Sequence, residues 1–397
     1  MPASNLFTPL PIANGRIVLQ HRIAMAPMTR NRGVSVPSQA RTWMADDVVA
    51  LYYSQRASSS GLVISEGIPP SLEAAGMPGV PGLFHETQLA GWKKVVDGVH
   101  AKGAVIYAQL WHAGRATIPQ MTGCSVVSAS SVVWETDETY PFRDPNTKEK
   151  IRYRDFPSME MTKEQILQTT QDFVKAAAMA MEVGFDGVEL NAGNGNLIDQ
   201  YLHSNLNSRS DEYGGSVQAR CKFPLDLLTA ISSAIGQSNL AIRLEPACMY
   251  QGTYGMERIE TWSHLCSQIA DKFPELSYVH FIEPRQDRIN AKPDVFLRGW
   301  TLPEVSNKPF RSILQRSGIP CISCGGRDAL SAAGAIGDGW DGVAFARLFV
   351  SNPDLVDRLR SNRAELQPFD RSRFYGSWDG VREHGYIDYP TFETTLQ

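Results

Sequence analysis

The sequence predicts an α/β fold in one domain spanning 1–397, a closed (β/α)8 TIM barrel. Eight short apolar, β-branched runs carry the prediction, at 22–28, 62–67, 104–110, 185–190, 240–246, 278–284, 319–325 and 340–349. Each is followed, after a Gly, Pro or Asn, by a polar loop and then a helical pattern, which is the alternation of a parallel sheet built from βα units. An open doubly wound sheet could also use eight strands, but no GxGxxG turn follows the first run, where such a sheet carries its phosphate loop. The length, 397 residues, exceeds the ~150 of an ordinary domain yet suits a barrel, which can use ~250 to 400 as one unit.

The elements follow in order. Ahead of the first strand, 12–19 places Asn14-Gly15 between two apolar runs, the preferred sequence for a tight hairpin turn. This N-terminal β-hairpin lid is expected to plug the barrel floor. Periodicity of 3.6 residues marks helices at 86–102 and 162–184, the second opening on Thr162, Lys163, Glu164 and Gln165 as a capping box. The long stretch 117–161 lacks a period and reads as an inserted loop or hairpin after strand three. From Pro368 onward the chain is rich in Phe, Tyr, Trp and Gly, and is expected to fold back over the barrel mouth.

Composition excludes several classes. With 43% apolar and 20% charged residues, the chain can bury a sizeable core and is not a solvated polymer. Lys plus Arg is 38 against 42 for Asp plus Glu, a net of -4 without a long basic run, which argues against nucleic acid as a partner. Neither a spanning apolar stretch nor a signal-like start is present, so a soluble, cytoplasmic protein with no membrane partner is expected, as monomer or homodimer. Six cysteines are too sparse for a disulfide scaffold. Eight histidines show no HExxH-like spacing, so no metal site is expected.

In a parallel barrel, chemistry sits at strand C-termini and in the loops just beyond. Those positions hold Pro27, Met28 and Thr29; Glu66 and Gly67; Gln109, Trp111 and His112; Asn191 and Asn194; Arg243 and Glu245; Glu283 and Arg285; Gly325 and Gly326; Ala346 and Arg347. The last two loops set small residues beside Arg327 and Arg347, where backbone amides can approach a phosphate. Glycines that merely end strands are the alternative.

An ordered set of motifs then carries a resemblance. Met25-Ala-Pro-Met-Thr-Arg30, Tyr52-Tyr-Ser-Gln-Arg-Ala57, Ser65-Glu-Gly67, Gln109-Leu-Trp-His-Ala-Gly-Arg115, Arg209-Ser-Asp-Glu-Tyr-Gly-Gly215, Arg243 in Ile-Arg-Leu-Glu-Pro, and Arg347-Leu-Phe-Val-Ser-Asn-Pro-Asp354 resemble the old yellow enzyme family from about Leu6 to Pro390. The resemblance implies a flavin mononucleotide (FMN) enzyme that reduces activated alkenes, enones or enals, with NAD(P)H. It implies that Pro27, Met28, Thr29 and Gly67 pack on the flavin, that Gln109 and Arg243 bond its N1, C2 and N3 edge, and that Gly325, Gly326, Ala346 and Arg347 hold its phosphate. Ala346 stands where the family usually has Gly.

Two departures bear on catalysis. Where the family binds the substrate carbonyl with His and Asn, or two His, this chain has Asn191 and Asn194; both can donate N–H to an oxygen, but neither titrates near neutrality. Two residues further on, the family's proton-donating Tyr is replaced by Asn196, and an amide is a very poor acid beside a phenol of pKa ~10. Candidate replacement donors are Tyr250, Tyr375 and Glu245, with aromatic walls as the alternative for the tyrosines and an ion pair for the carboxyl. Trp111 and Phe296 are expected in the substrate pocket or else in the core, and His112 in a structural role. An ene-reductase with non-standard protonation in specialised metabolism, a flavin-dependent isomerase or desaturase, and a flavin-free barrel enzyme or phosphate-binding protein are the readings left open.

Overall fold

The computed structural model describes residues 2–135, 137–144, 147–361, 365–376 and 380–391. Eight strands form the closed barrel: β1 (Ile23–Met25), β2 (Leu62–Ile68), β3 (Val105–Leu110), β4 (Gly187–Ala192), β5 (Leu240–Leu244), β6 (Val279–Ile282), β7 (Cys321–Cys324) and β8 (Gly342–Phe345). Every neighbouring pair is parallel, and β8 against β1 completes the ring. The principal helix after each strand is, in order, α1 (Asp47–Arg56), α2 (Glu86–His100), α3 (Lys163–Val183), α4 (Lys222–Ile235), α5 (Arg258–Lys272), α6 (Lys308–Gln315), α7 (Ala329–Gly337) and α8 (Leu355–Ser361). Each barrel strand overlaps one predicted run.

The largest boundary differences lie at the first and eighth runs. β1 ends at Met25 because Pro27 has no N–H to extend a ladder. β8 stops at Phe345, where Ala346 leaves the extended region and a short helix, Arg347–Ser351, begins. α3 starts as its capping box predicts, with Thr162 accepting from Gln165, and ends at Gly184 in the left-handed conformation, φ +106°.

Side chains alternate across each strand, so the interior is built in layers. On β5, Ala241 packs inward and Ile242 outward against the helices. The lowest layer, with Tyr107, Ala241, Tyr278 and Ile322, meets Leu10, Ile12, Ala13 and Leu19 from the N-terminal hairpin. That hairpin pairs Leu10–Ile12 with Ile17–Leu19 and thus closes the floor. Its turn is centred one residue earlier than the sequence suggests: Gly15 N–H donates to Ile12 O, and Ala13, Asn14 and Gly15 all have positive φ.

Among its described residues the 117–161 segment takes the hairpin alternative and adds a further strand pair. Val127–Ser128 pairs parallel with Met159–Glu160, a hairpin joins Thr139–Arg143 to Lys150–Arg152, and Ile118, Trp134, Tyr140 and Tyr153 form a small core of their own.

The C-terminal segment returns across the barrel and is fastened by arginines. Arg30 donates to Phe374 O at 2.7 Å, Arg373 O at 3.0 Å and Gly385 O at 2.8 Å, while Arg56 donates to Tyr386 O at 3.0 Å. Tyr386 stacks on Tyr52 with ring centroids 4.0 Å apart. These buried cations use carbonyls as acceptors, so the tail supplies hydrogen bonds that the barrel top cannot.

Beneath Arg30 lies Glu66, in a bulge where β2 changes register against β3. Its Oε2 accepts from Arg30 N–H at 3.2 Å, and burial pushes its carboxyl up to about 7. A raised folded-state value means that the native protein binds more protons than the unfolded chain between 4.5 and about 7. Stability is therefore expected to fall as pH rises through that window, and Glu66→Gln should flatten the fall. Denaturant midpoints measured across the window check this; an equal slope in both proteins would contradict it.

Candidate active site

The C-terminal ends of the strands open into two adjoining cavities. One, of about 390 Å3, is lined by Pro27, Met28, Thr29, Gly67, Gln109, Trp111, Asn191, Asn194, Asn196, Arg243, Tyr250 and Tyr375, together with Arg30, Met77, Gln251, Val350 and Phe374. The other, of about 670 Å3, extends over the ends of β6, β7 and β8, between Gly325, Gly326, Arg327, Arg347 and the tail residues Phe369, Arg371 and Phe374. Asn194, Arg243, Tyr250, Ala346, Arg347 and Tyr375 border both. Both volumes lie in the range of small-molecule and cofactor sites, ~300 to 1,000 Å3.

Below the first cavity is a buried polar layer drawn from five consecutive strands. Gln109 on β3 donates to Glu189 on β4 at 2.6 Å, and Glu189 meets His280 on β6 at 3.1 Å. Asn191, two residues on from Glu189 and on the same face, donates to Gln109 Oε1 at 3.2 Å. Arg243 on β5 donates to Asn194 Oδ1 at 3.3 Å and to Cys324 on β7 at 3.5 Å. Burial alone would lower the basicity of Arg243, but the Cys324 thiol and the Glu189 carboxylate more than offset it. The guanidinium stays charged, and its Nε has no partner among the described residues. A buried donor with no acceptor is what a ligand edge would satisfy.

The turn after β4 shapes the upper part. Asn194 sits at φ +59° and Gly195 at φ +70°, so the backbone reverses tightly. Glu245, on the same side of its segment as Arg243, accepts from both Asn194 N–H at 2.7 Å and Asn194 Nδ2 at 3.1 Å. This replaces the ion pair expected for Glu245: among the described residues no cation lies within salt-bridge distance of it. Burial first, then the neighbouring Asp199, raises its carboxyl to about 7. With Asp199 and Cys248 it forms a close buried cluster. Asp199 is itself engaged by Gly195 N–H at 2.9 Å and by His203 at 3.3 Å.

Asn196 lines the first cavity, and its amide donates to Gly193 O at 3.2 Å, closing the turn. Tyr250 is better placed for proton chemistry. Arg285 Nη1 donates to its hydroxyl oxygen at 2.9 Å, which leaves the phenolic hydrogen free to be given elsewhere. Tyr375 is half exposed and meets Phe142 of the inserted hairpin edge to face.

The second cavity is strongly cationic. Arg285, Arg288, Arg327, Arg347 and Arg371 all border it, and burial with the like charges of Arg285 and Arg371 lowers the basicity of Arg347. Glu283, half-buried at its edge, pairs with Arg327 at 3.6 Å. Gly325 and Gly326 have φ +131° and +69°, and a Cβ on Gly326 would come within 3.3 Å of Arg347 Nη2. Backbone and cations thus converge on one anion-sized space. At Gly67 a Cβ would fall 2.5 Å from the Trp111 ring, so glycine there lets the indole close the floor.

Of the two placements open for Phe296 the structure takes the core, and His112 has the structural role expected of it. Phe296 is not in the cavity; it is fully buried in the short helix Pro293–Leu297, stacked on Trp300 at 5.4 Å and covered by Arg258. His112 accepts from Gly114 N–H at 3.0 Å, and burial lowers it to about 3, so it is neutral and shapes the turn. Cys321 and Cys324 face opposite sides of β7 and are free thiols. Sequence reasoning missed Met77, Gln251 and Arg371 on the wall and Glu189 and His280 beneath it. For the last two a signal existed: charged or titratable residues on the inward face of apolar strand runs.

The fold, the amide and cation layer and the glycine-arginine loops define a barrel oxidoreductase of the flavin-dependent class. The chain belongs to the NADH:flavin oxidoreductase / NADH oxidase family, the old yellow enzymes, whose profile matches residues 5–365. It is 42% identical to the flavin oxidoreductase hxnT of Emericella nidulans, over 98% of each chain. It is 34% identical to 12-oxophytodienoate reductase 1 of Oryza sativa subsp. japonica, covering 96% of this chain and 92% of that one. The structure superposes on morphinone reductase in complex with tetrahydroNAD with a TM-score of 0.83 and 33% identity, covering 99% of both chains. The chain is thus an oxidoreductase of this family, with hydride-transfer chemistry of the kind that acts on unsaturated carbonyls. No helix among the described residues is long and apolar enough to cross a membrane.

Proposed function

We propose that the two cavities hold flavin mononucleotide, with the ring over the polar layer and the phosphate among Gly325, Gly326 and Arg347, and that the enzyme reduces the alkene of an α,β-unsaturated carbonyl at the expense of NAD(P)H. The observation that carries this reading is the pairing of a buried guanidinium, Arg243, whose Nε has no partner among the described residues, with a cationic glycine-lined cavity beside it. The donor set suits a planar ring with carbonyl and ring-nitrogen acceptors and an anionic tail. When bound, the flavin supplies the hydride.

The chain's own residues do the rest. Gln109 and Arg243 face the acceptor edge of the ring, and the fixed positive charge of Arg243 favours added electron density there. Thr29 and Gly67 border the same cavity, the first with a hydroxyl and the second making room for the Trp111 indole. Asn191 and Asn194 each keep one amide hydrogen after their internal bonds, and those two hydrogens hold the substrate oxygen. Trp111 and Tyr375 form the walls of the substrate space.

The proton for the α-carbon comes from Tyr250 in this reading, with Tyr375 and Glu245 as less directly placed groups. Arg285 stabilises the phenolate left behind, because its N–H already points at that oxygen. Tyr250→Phe is expected to slow enone reduction by roughly 10²-fold, within the range of a lost general acid, with flavin content unchanged. Stopped-flow reoxidation by an enone checks this; an unaltered rate would remove Tyr250 from the role.

Asn196 favours a second reading, because with no phenol at that position the α-carbon can go unprotonated and the hydride can return to the same substrate. That outcome is an isomerase; a desaturase, in which the substrate gives up a hydride and an α-proton and an electron acceptor such as dioxygen reoxidises the flavin, is the related case, either one in specialised metabolism. Product analysis with deuterated NAD(P)H separates them. A reductase leaves one deuterium from the reductant on the β-carbon of a saturated product, whereas an unsaturated product of unchanged mass would exclude net reduction. A cytoplasmic setting and a monomeric or dimeric state belong to this proposal.

A further inference from the structure

We propose that Cys324 is an ionised thiol built into the polar layer, and that its negative charge, set against Arg243, tunes the charge this layer presents to the flavin edge. The proposal rests on the flavin reading above for its consequence, and on the geometry of the layer for its existence. Cys324 is the last residue of β7 and points into the barrel, unlike Cys321, which packs outward. Arg243 Nη2 lies 3.5 Å from its sulfur. His280 is the second neighbour: its Nδ1 is held by Glu189 at 3.1 Å, its buried Nε2 makes no hydrogen bond among the described residues, and it acts on the sulfur through its charge.

A guanidinium and an imidazole beside one sulfur favour the thiolate. Burial raises the thiol, but His280 and Arg243 together outweigh it and bring Cys324 down to about 7, while His280 rises to about 9 under the thiol and Glu189. The groups facing the sulfur are Arg243 from β5 and His280 from β6, with Glu189 from β4 and Tyr278 from β6 behind them, and β8 sets the uncharged Ala344 opposite Cys324. The other five cysteines are all shifted upward by burial, so Cys324 is the one thiol set to titrate near neutrality.

The consequence has a definite sign. A thiolate partly cancels Arg243, so the ring edge meets less positive charge and the bound flavin is harder to reduce. Cys324→Ser keeps size and polarity but does not ionise in this range, and should leave Arg243 uncancelled.

Two measurements on the flavin-loaded protein test this. The first is the thiolate ultraviolet absorbance against pH, as the difference between the unchanged protein and Cys324→Ser. One thiolate appearing near neutrality is expected, and none before the alkaline range would overturn the proposal. The second is the midpoint potential of the bound flavin, expected to move to more positive values in Cys324→Ser and to lose part of its pH dependence. A thiolate present without any change in potential would overturn the tuning role. Absence of flavin from both proteins would count against the flavin reading alone, and the thiolate titration, which needs no flavin, would still decide whether the layer holds an ionised sulfur.

Discussion

Arg243→Met is expected to yield a protein that folds but loses most of its flavin. Methionine nearly matches the length of the stem, so the barrel can close around it. What disappears is the charge that bonds Asn194 and Cys324 and whose Nε is left for a ligand. Charge-assisted hydrogen bonds contribute ~1.5–3 kcal/mol each, so two of them to the ring edge correspond to a weakening of roughly 10²-fold or more. A second effect has the same origin. Glu189 would remain buried with His280 as its sole cationic neighbour, and breaking buried charge networks costs about 3–5 kcal/mol, so a lower melting temperature should accompany the loss of colour. Equilibrium dialysis with added flavin and a thermal melt check the two halves. Full retention of flavin would contradict the placement of the ring edge against Arg243.

Asn191→Ala is the second large effect, and it should fall on turnover while leaving flavin bound. Asn191 is held in one orientation by Gln109 on one side and by Gly193 N–H, which donates to its Oδ1 at 3.1 Å, on the other. Such preorganised donors aimed at a developing oxyanion are worth ~10²–10³ in rate. Reoxidation of the reduced enzyme by an enone is therefore expected to slow by roughly that factor. Asn194 is a poorer choice for this experiment: its φ of +59° tolerates few side chains, and removal would also free Glu245. Half-reaction kinetics with and without the substitution check the expectation, and a change confined to flavin reduction by NAD(P)H would contradict it.

The barrel was legible because its physics is periodic. Eight apolar runs at strand length, spaced by amphipathic helices, leave few other arrangements, and Thr162 and Gly184 mark α3 at both ends. The site was legible where function is read at strand ends, as with Gln109, Asn191, Arg243 and Arg347. What the sequence left unread depends on long-range closure. Phe296 stays open between pocket and core in the sequence because a residue in an aperiodic loop gives no indication of which side of Arg258 it will occupy. The tail that covers the mouth is held by Arg30, Arg32 and Arg56 through backbone carbonyls, and carbonyl acceptors carry no residue signature. The sequence leaves Glu245 between a proton donor and half of an ion pair, because it does not show that the backbone turn at Asn194 brings a nearer donor.

The central claim is that a reducible isoalloxazine ring lies across the barrel mouth with its edge on Gln109 and Arg243. The most direct measurement is anaerobic absorbance of the purified protein, titrated first with NAD(P)H and then with an enone. Flavin bands that bleach with one equivalent of reductant per chain and return with one equivalent of enone are the predicted result. A colourless protein that takes up no added flavin, or bands that do not respond to the nucleotide, would contradict it.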